Sequence, residues 1–221
     1  LSRSKDIHSY LDGIYSSIVL KDIVARKKIA DAAMLENVIR FMFDNIGNPC
    51  STTKIANTLK SSGHNISVHT VENYLKALCE SFVLYKADRY DIKGKQYLRS
   101  GAKYYVADIG LRYYLLGQKP ADLGHILENV VYLELLRRGY EVFVGKSDKS
   151  EIDFIAINEE DTEYYQVALT VRDEKTLLRE LAPLESVNDH NGKYLLTLDD
   201  DPPCSHNGIK QVNALDWLLK E

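Results

Sequence analysis

Apolar residues recur at helical spacing through the first third of the chain and alternate with polar ones through much of the rest. Residues 6–29 read as a helix, with Ile7, Leu11, Ile14, Ile18 and Leu20 at mostly helical intervals and Arg26-Lys27-Lys28 at its end. This stretch shows no core of its own, so residues 1–30 read as a helical linker from something upstream. Residues 31–46 predict a second helix whose stripe is Leu35, Val38, Ile39, Met42 and Phe43, stopped by Gly47-Asn48-Pro49. Ser51-Thr52-Thr53 caps a short helix carrying Ile55, Ala56 and Leu59. Ser67 opens the next, with Val71, Tyr74, Leu75 and Leu78 inward. Val83-Leu84-Tyr85 and Gln96-Tyr97-Leu98 read as strands around Lys93-Gly94-Lys95. A helix, a helix–turn–helix and a hairpin follow one another in winged-helix order, which assigns residues 31–100 to such a domain.

From residue 101 the pattern changes. A short strand is expected over 103–106, a helix over 109–116, a loop over 120–124 and a strongly apolar helix over 125–138 ended by Gly139. Strands are expected over 141–144, 151–157, 163–171 and 193–197, with a helix over 173–187 before the last of them and a closing helix over 213–220. Helix, three strands, helix, strand is a mixed α/β unit. The fold class expected is α+β or α/β, with the second domain spanning 101–221.

Charge divides the chain in the same place. The 221 residues carry 28 Lys/Arg and 32 Asp/Glu, a formal net charge of −4. Residues 1–98 hold 14 basic and 10 acidic residues; residues 99–221 hold 14 and 22. The basic half can approach phosphate, and the acidic half repels it unless cations intervene. Cys50, Cys79 and Cys204 form no CxxC pair, so neither a zinc site nor a disulfide framework is indicated, and a cytoplasmic setting is expected. No apolar run reaches the length of a membrane span, and the opening residues show no signal-peptide pattern. Leu1 in place of Met suggests a fragment of a longer protein.

Three residues on three elements point to one site: Glu128 in the apolar helix, Asp153 in Glu151-Ile152-Asp153-Phe154, and Gln166 in Tyr165-Gln166-Val167-Ala168. Alternation puts Asp153 and Ile155 on one strand face, and Tyr164 and Gln166 on one face of the next. Two carboxylates and a carbonyl oxygen suit a hard divalent ion, so Glu128 and Asp153 are candidate Mg2+ ligands.

The runs Asp108-Ile109-Gly110-Leu111-Arg112, Leu127-Glu128-Asn129, Arg137-Arg138-Gly139-Tyr140-Glu141-Val142 and Glu151-Ile152-Asp153-Phe154 resemble the C-terminal part of a prokaryotic family of predicted AAA-type ATPases. In that family a P-loop ATPase precedes a winged helix and a domain related to PD-(D/E)XK nucleases. Ile14-Tyr15 through Asp22-Ile23-Val24-Ala25-Arg26 resembles its junction after the ATPase. The resemblance covers nearly the whole chain and is specific as a combination. It implies that Glu128, Asp153 and Gln166 match the metal-holding positions of the nuclease fold, and that Ala168 stands where a lysine normally helps activate water. Metal-assisted hydrolysis needs a source of hydroxide and charge stabilisation at phosphorus, and Ala supplies neither. Lys146, at the end of the preceding strand, is the candidate replacement. The resemblance also implies that ATP, if bound, belongs to the upstream ATPase module.

Three readings follow. The first is a nucleic-acid- or partner-binding region whose nuclease-like domain is inactive. The second is a Mg2+-dependent DNA endonuclease using Glu128, Asp153, Gln166 and Lys146. The third is a protein-interaction module that self-associates. For DNA, the second helix of the helix–turn–helix offers Asn73 and Lys76, opposed by Glu72 and Glu80, and the wing offers Lys86, Arg89, Lys93, Lys95 and Arg99. Gly145-Lys146-Ser147 lacks the first glycine of a P-loop, since Tyr140 stands there. Asp199-Asp200-Asp201 reads as a solvated turn rather than a calcium loop.

Overall fold

The computed structural model describes residues 2–94, 96–147 and 150–220. Lys95 lies outside the described residues, as does the side chain of Arg99. The chain is mixed α/β and divides into two compact units. Unit 1 comprises Leu1–Lys86 and Tyr104–Lys119; unit 2 comprises Ala87–Lys103 and Pro120–Glu221.

Unit 1 is helical. Helices α1 (Ser2–Ile14) and α2 (Ile23–Lys27) are joined by a π-helical stretch, Tyr15–Asp22, in place of one continuous helix. Helix α3 (Ala32–Asp44) buries Leu35, Val38, Ile39, Met42 and Phe43, the stripe its spacing predicts. Helices α4 (Thr52–Ser61) and α5 (Val68–Glu80) begin at the serines the sequence marks. Ser51 accepts from the Lys54 amide and Ser67 from the Thr70 amide, each satisfying a donor the first helical turn leaves open. Asp108 caps α6 (Ile109–Leu116), accepting from the amides of Gly110 and Leu111. Arg112 is 1% exposed, and its Nε donates to the Phe43 carbonyl at 2.8 Å.

Strands β1 (Leu84–Asp91) and β2 (Gln96–Val106) form one long hairpin. The two short strands expected at 96–98 and 103–106 are the ends of the single strand β2. Its tip half belongs to unit 2 and its base half to unit 1, so the division expected near residue 100 is replaced by an interleaved one.

Unit 2 is built on a mixed sheet in the order β2-β1-β3-β4-β5-β6-β8-β7. Its further strands are β3 (Glu141–Lys146), β4 (Glu151–Ile157), β5 (Thr162–Val167), β6 (Gly192–Thr197), β7 (Cys204–His206) and β8 (Ile209–Asn213). Pairing is antiparallel for β3–β4, β4–β5 and β7–β8, and parallel for β1–β3, β5–β6 and β6–β8. The β7–β8 hairpin lies in a stretch to which the sequence pattern assigned no element, because β7 has three residues and β8 five, too few to show clear alternation. Helix α7 (Leu123–Arg137) packs Tyr132 on Phe154. Helix α8 (Glu174–Glu185) buries Leu181 and Leu184 in a cluster with Ile155, Tyr164 and Leu195. Phe154 and Ile155 are adjacent in β4, so strand alternation sets the two helices on opposite faces. Helix α9 (Ala214–Leu218) is tied to the end of α7 by Arg138, which lies 4.1 Å over the Trp217 ring.

Gly145 shows how tightly the centre of this sheet is filled. A Cβ there would sit 3.0 Å from Ile152 Cβ and from Ile155 Cγ1. Gly145→Ala is expected to lower stability by about 1–3 kcal/mol through overpacking. Urea unfolding measures this, and an unchanged midpoint would contradict the packing described.

Candidate functional site

The acidic site gathers at one end of β4, and all of it lies in unit 2. Glu128 projects from α7 and is buried because that helix is apolar on both flanks of it, with Leu127 and Val131 in the core. Asp153 and Gln166 lie just beyond Phe154↔Tyr165, the last pair of β4 and β5. The Asp153 amide donates to Gln166 Oε1 at 3.3 Å, and the Val167 amide donates to Asp153 Oδ2 at 3.0 Å. Gln166 Nε2 donates to Glu180 Oε2 on α8 at 2.9 Å, and Glu180 pairs with Arg179. The three residues singled out in the sequence therefore converge.

At their centre is a residue that sequence reasoning passed over. Lys103, on β2, is 5% exposed. Its Nζ lies 3.0 Å from Glu128 Oε1, 3.0 Å from Glu151 Oε1 and 3.5 Å from Asp153 Oδ1. Burial works against its charge, but the carboxylates of Glu128, Asp153 and Glu151 and the hydrogen bond to Glu128 outweigh it and raise its pKa well above the ordinary lysine value. Lys103 is thus a fixed cation and no general base at neutral pH. Asp153 moves upward from its ordinary 3.8, first because it is buried and second because the Glu128 carboxylate repels its charge; Lys103 and the Val167 amide only partly offset this. His125, one helical turn before Glu128, is raised above its ordinary 6.5 by that carboxylate, 3.7 Å away.

Gly101 explains how Lys103 is aimed. It adopts φ +79° inside β2, and a Cβ there would meet the Arg89 side chain at 3.0–3.1 Å. A left-handed glycine interrupts a strand's alternation and redirects the side chains beyond it. Arg89, expected as an outward wing cation, instead presses on Gly101 with its Nη2 3.7 Å from Glu151. Lys146, the expected replacement base, pairs in register with Glu151 across β3–β4 and with Asp91 across β1–β3; the ammonium within the acidic cluster is that of Lys103. A lone lysine in the apolar run Tyr104-Tyr105-Val106 was the available signal, since a buried cation demands carboxylate partners.

The oxygens a divalent ion would take already face donors. Glu128 Oε1 faces Lys103 and its Oε2 faces His125; Asp153 Oδ2 and Gln166 Oε1 accept from backbone amides. Among the described residues, no group of three or more His, Cys, Asp and Glu is disposed to hold a metal ion. The side chains do not fit a resident Mg2+ in this arrangement. Asp199, Asp200 and Asp201 are likewise engaged, all by Arg172, and Asp199 also accepts from Thr170 and the Val171 amide.

In unit 1, Asn73 and Lys76 are exposed on α5. Asn73 meets His69 at 3.3 Å and Lys76 lies 3.8 Å from Glu80. Glu80, which the sequence sets against phosphate, forms an ion pair with Lys27 that lowers its pKa. Lys86 and Lys93 are exposed. Among the described residues no helix is long and apolar enough to cross a membrane.

Comparison with known proteins supplies relatives without functions. The family described as "Domain of unknown function (DUF8612)" matches residues 1–122. An uncharacterized protein of Haemophilus influenzae is 42% identical over 210 residues, which cover 95% of this chain and 52% of that protein. An uncharacterized protein of Methanocaldococcus jannaschii is 31% identical over 157 residues, covering 69% of this chain and 34% of that protein. The chain thus spans about half the length of the first relative and a third of the second. No solved structure matches it.

Two outcomes follow from the cluster. Lys103→Met leaves buried carboxylates without their cation and is expected to cost about 3–5 kcal/mol in urea unfolding at neutral pH. The folded chain keeps a proton on Asp153 to higher pH than the unfolded chain does. This group therefore makes stability fall as pH rises from the ordinary carboxylate range toward neutrality. Asp153→Asn is expected to flatten that slope in unfolding curves taken across the same range; an identical slope in the variant would remove Asp153 as its source.

Proposed function

This chain belongs to the family described as Domain of unknown function (DUF8612), and we propose from its own residues that it is the nucleic-acid- or partner-binding region of an ATP-binding AAA-type ATPase, with a nuclease-like unit that does not cleave. One observation carries the reading: the Lys103 ammonium sits among Glu128, Glu151 and Asp153, where a nuclease of this kind would place a divalent cation. The cluster supplies its own counter-charge, and Gln166 spends its carbonyl on the backbone of Asp153.

Other features support the same reading. The order α3, α4, α5 and hairpin is that of a winged helix, and α7, β3, β4, β5, α8, β6 is the helix–strand order of the nuclease-like fold. Exposed cations lie on α5 and the hairpin, at Lys76, Lys86 and Lys93, while the carboxylates of Glu128, Glu151 and Asp153 face Lys103. Phosphate contact by Lys76, Lys86 and Lys93 would be sequence-independent and salt-dependent. ATP binding, in this reading, belongs to the remaining half of a protein the length of the Haemophilus relative.

A second reading has its own support. Glu128, Glu151 and Asp153 share the single ammonium of Lys103, and Asp153 is pushed upward first by burial and second by the Glu128 carboxylate, a repulsion that an added cation relieves. That reading is a Mg2+-dependent endonuclease in which Lys103 takes the place of the missing motif lysine.

One set of measurements separates them. Duplex and branched DNA are incubated with the chain in Mg2+ or Mn2+, and DNA affinity is measured against salt. The binding reading expects intact DNA and an affinity that falls with salt, reduced further by Lys76→Ala and Lys93→Ala. Cleavage abolished by both Asp153→Ala and Lys103→Ala would replace it with the nuclease reading.

A further inference from the structure

A cleft of about 680 Å3 opens in unit 2, two residues along β4 from Asp153 and separate from the acidic cluster. Its volume lies within the range of roughly 300–1,000 Å3 typical of small-ligand sites. The floor is apolar: Ile155 and Ile157 of β4 with Tyr164 on β5, Ile155 and Tyr164 themselves largely buried. The rim is the loop after α8, which presents Asn188, Asp189 and Asn191. Tyr90 also lines the cleft, and its ring belongs to an aromatic cluster with Tyr97 and Phe143. Lys93 is exposed at the mouth.

We propose that this cleft binds an adenine-type nucleobase, laid on the Ile155–Ile157–Tyr164 floor with its amine edge toward the Asn188–Asp189–Asn191 rim. A planar ring matches a sheet surface bounded by tyrosine better than a hydroxyl-rich sugar does, because most of its area can be buried without an unpaired polar group. The rim supplies the edge chemistry. Asp189 accepts from the Tyr164 hydroxyl at 2.7 Å and from the Asn191 side chain and backbone at 3.0 and 3.2 Å. A carboxylate has about four acceptor positions, so one is left for an incoming amine. An asparagine amide offers the donor–acceptor pair that matches adenine's amine and ring nitrogen. The network from Tyr164 holds Asp189 in place, so the rim is preorganised. Lys93 at the mouth suits a phosphate carried on the sugar of a nucleotide.

The base can come from a free mononucleotide or from an unpaired position in a strand, and the test distinguishes them. Adenosine, AMP, a short oligo(dA) and glucose are titrated into the whole chain by isothermal titration calorimetry. Adenosine and AMP are expected to bind saturably, and glucose not to bind. Asn188→Ala is expected to weaken adenosine about tenfold, the loss of one hydrogen bond. Ile157→Trp, which fills the cleft, should abolish binding, with circular dichroism and the unfolding midpoint reporting that the variant is folded. Tighter binding of oligo(dA) than of AMP assigns the cleft to an unpaired base, and the reverse order assigns it to a free nucleotide. Absence of saturation by every adenine probe into the millimolar range, equal binding of glucose, or adenosine affinity unchanged in both folded variants overturns the proposal.

Discussion

A single buried ammonium organises the second half of this chain. Lys103 touches a helix through Glu128 and a central strand through Glu151 and Asp153. Without it, these acids would face one another in a setting where an unneutralised charge is costly. With it, the carboxylates can be close, and the strand that carries the lysine is fixed to the helix and sheet it neutralises. Such an arrangement adds little net stability over an apolar core of equal volume, since desolvation consumes most of the attraction. What it contributes is selectivity of pairing: only one placement of β2 satisfies all three acids.

The same contact weighs against the cleavage reading proposed as the alternative. A nuclease needs ligand oxygens that are available and a lysine able to act on water or phosphate. Here the oxygens accept from amides and from the ammonium, and the ammonium is held firmly protonated by its neighbours. The carboxylates and the amide of this site are engaged in internal pairing.

Local rules carried the sequence reading a long way. Serine caps at 51 and 67, the α3 stripe and the apolar run of α7 were visible because each depends only on neighbours in the chain. Glu128, Asp153 and Gln166 were found because their motifs are local, although alternation alone misplaces Asp153: Ile152 and Ile155 share one cluster, so the strand's period of two breaks between them. Lys103 escaped because its partners are 25, 48 and 50 positions away and a left-handed glycine breaks the alternation that would have pointed to them. Arg89 escaped for the same reason: a cation near a turn looks solvated until the carboxylate it faces is known. The β7–β8 hairpin was hidden by brevity.

The hairpin gives its two halves to different units, with Lys103 and Tyr104 on either side of the division. The family match runs through residue 122 and so contains the lysine but none of the carboxylates that hold it. The chain is therefore not a pair of cassettes that could be shuffled independently through evolution. A recombination event at the end of the matched segment would strand a cation on one parent and its acids on the other. Loss of the cation at position 103 alone would leave the carboxylates at 128, 151 and 153 facing one another.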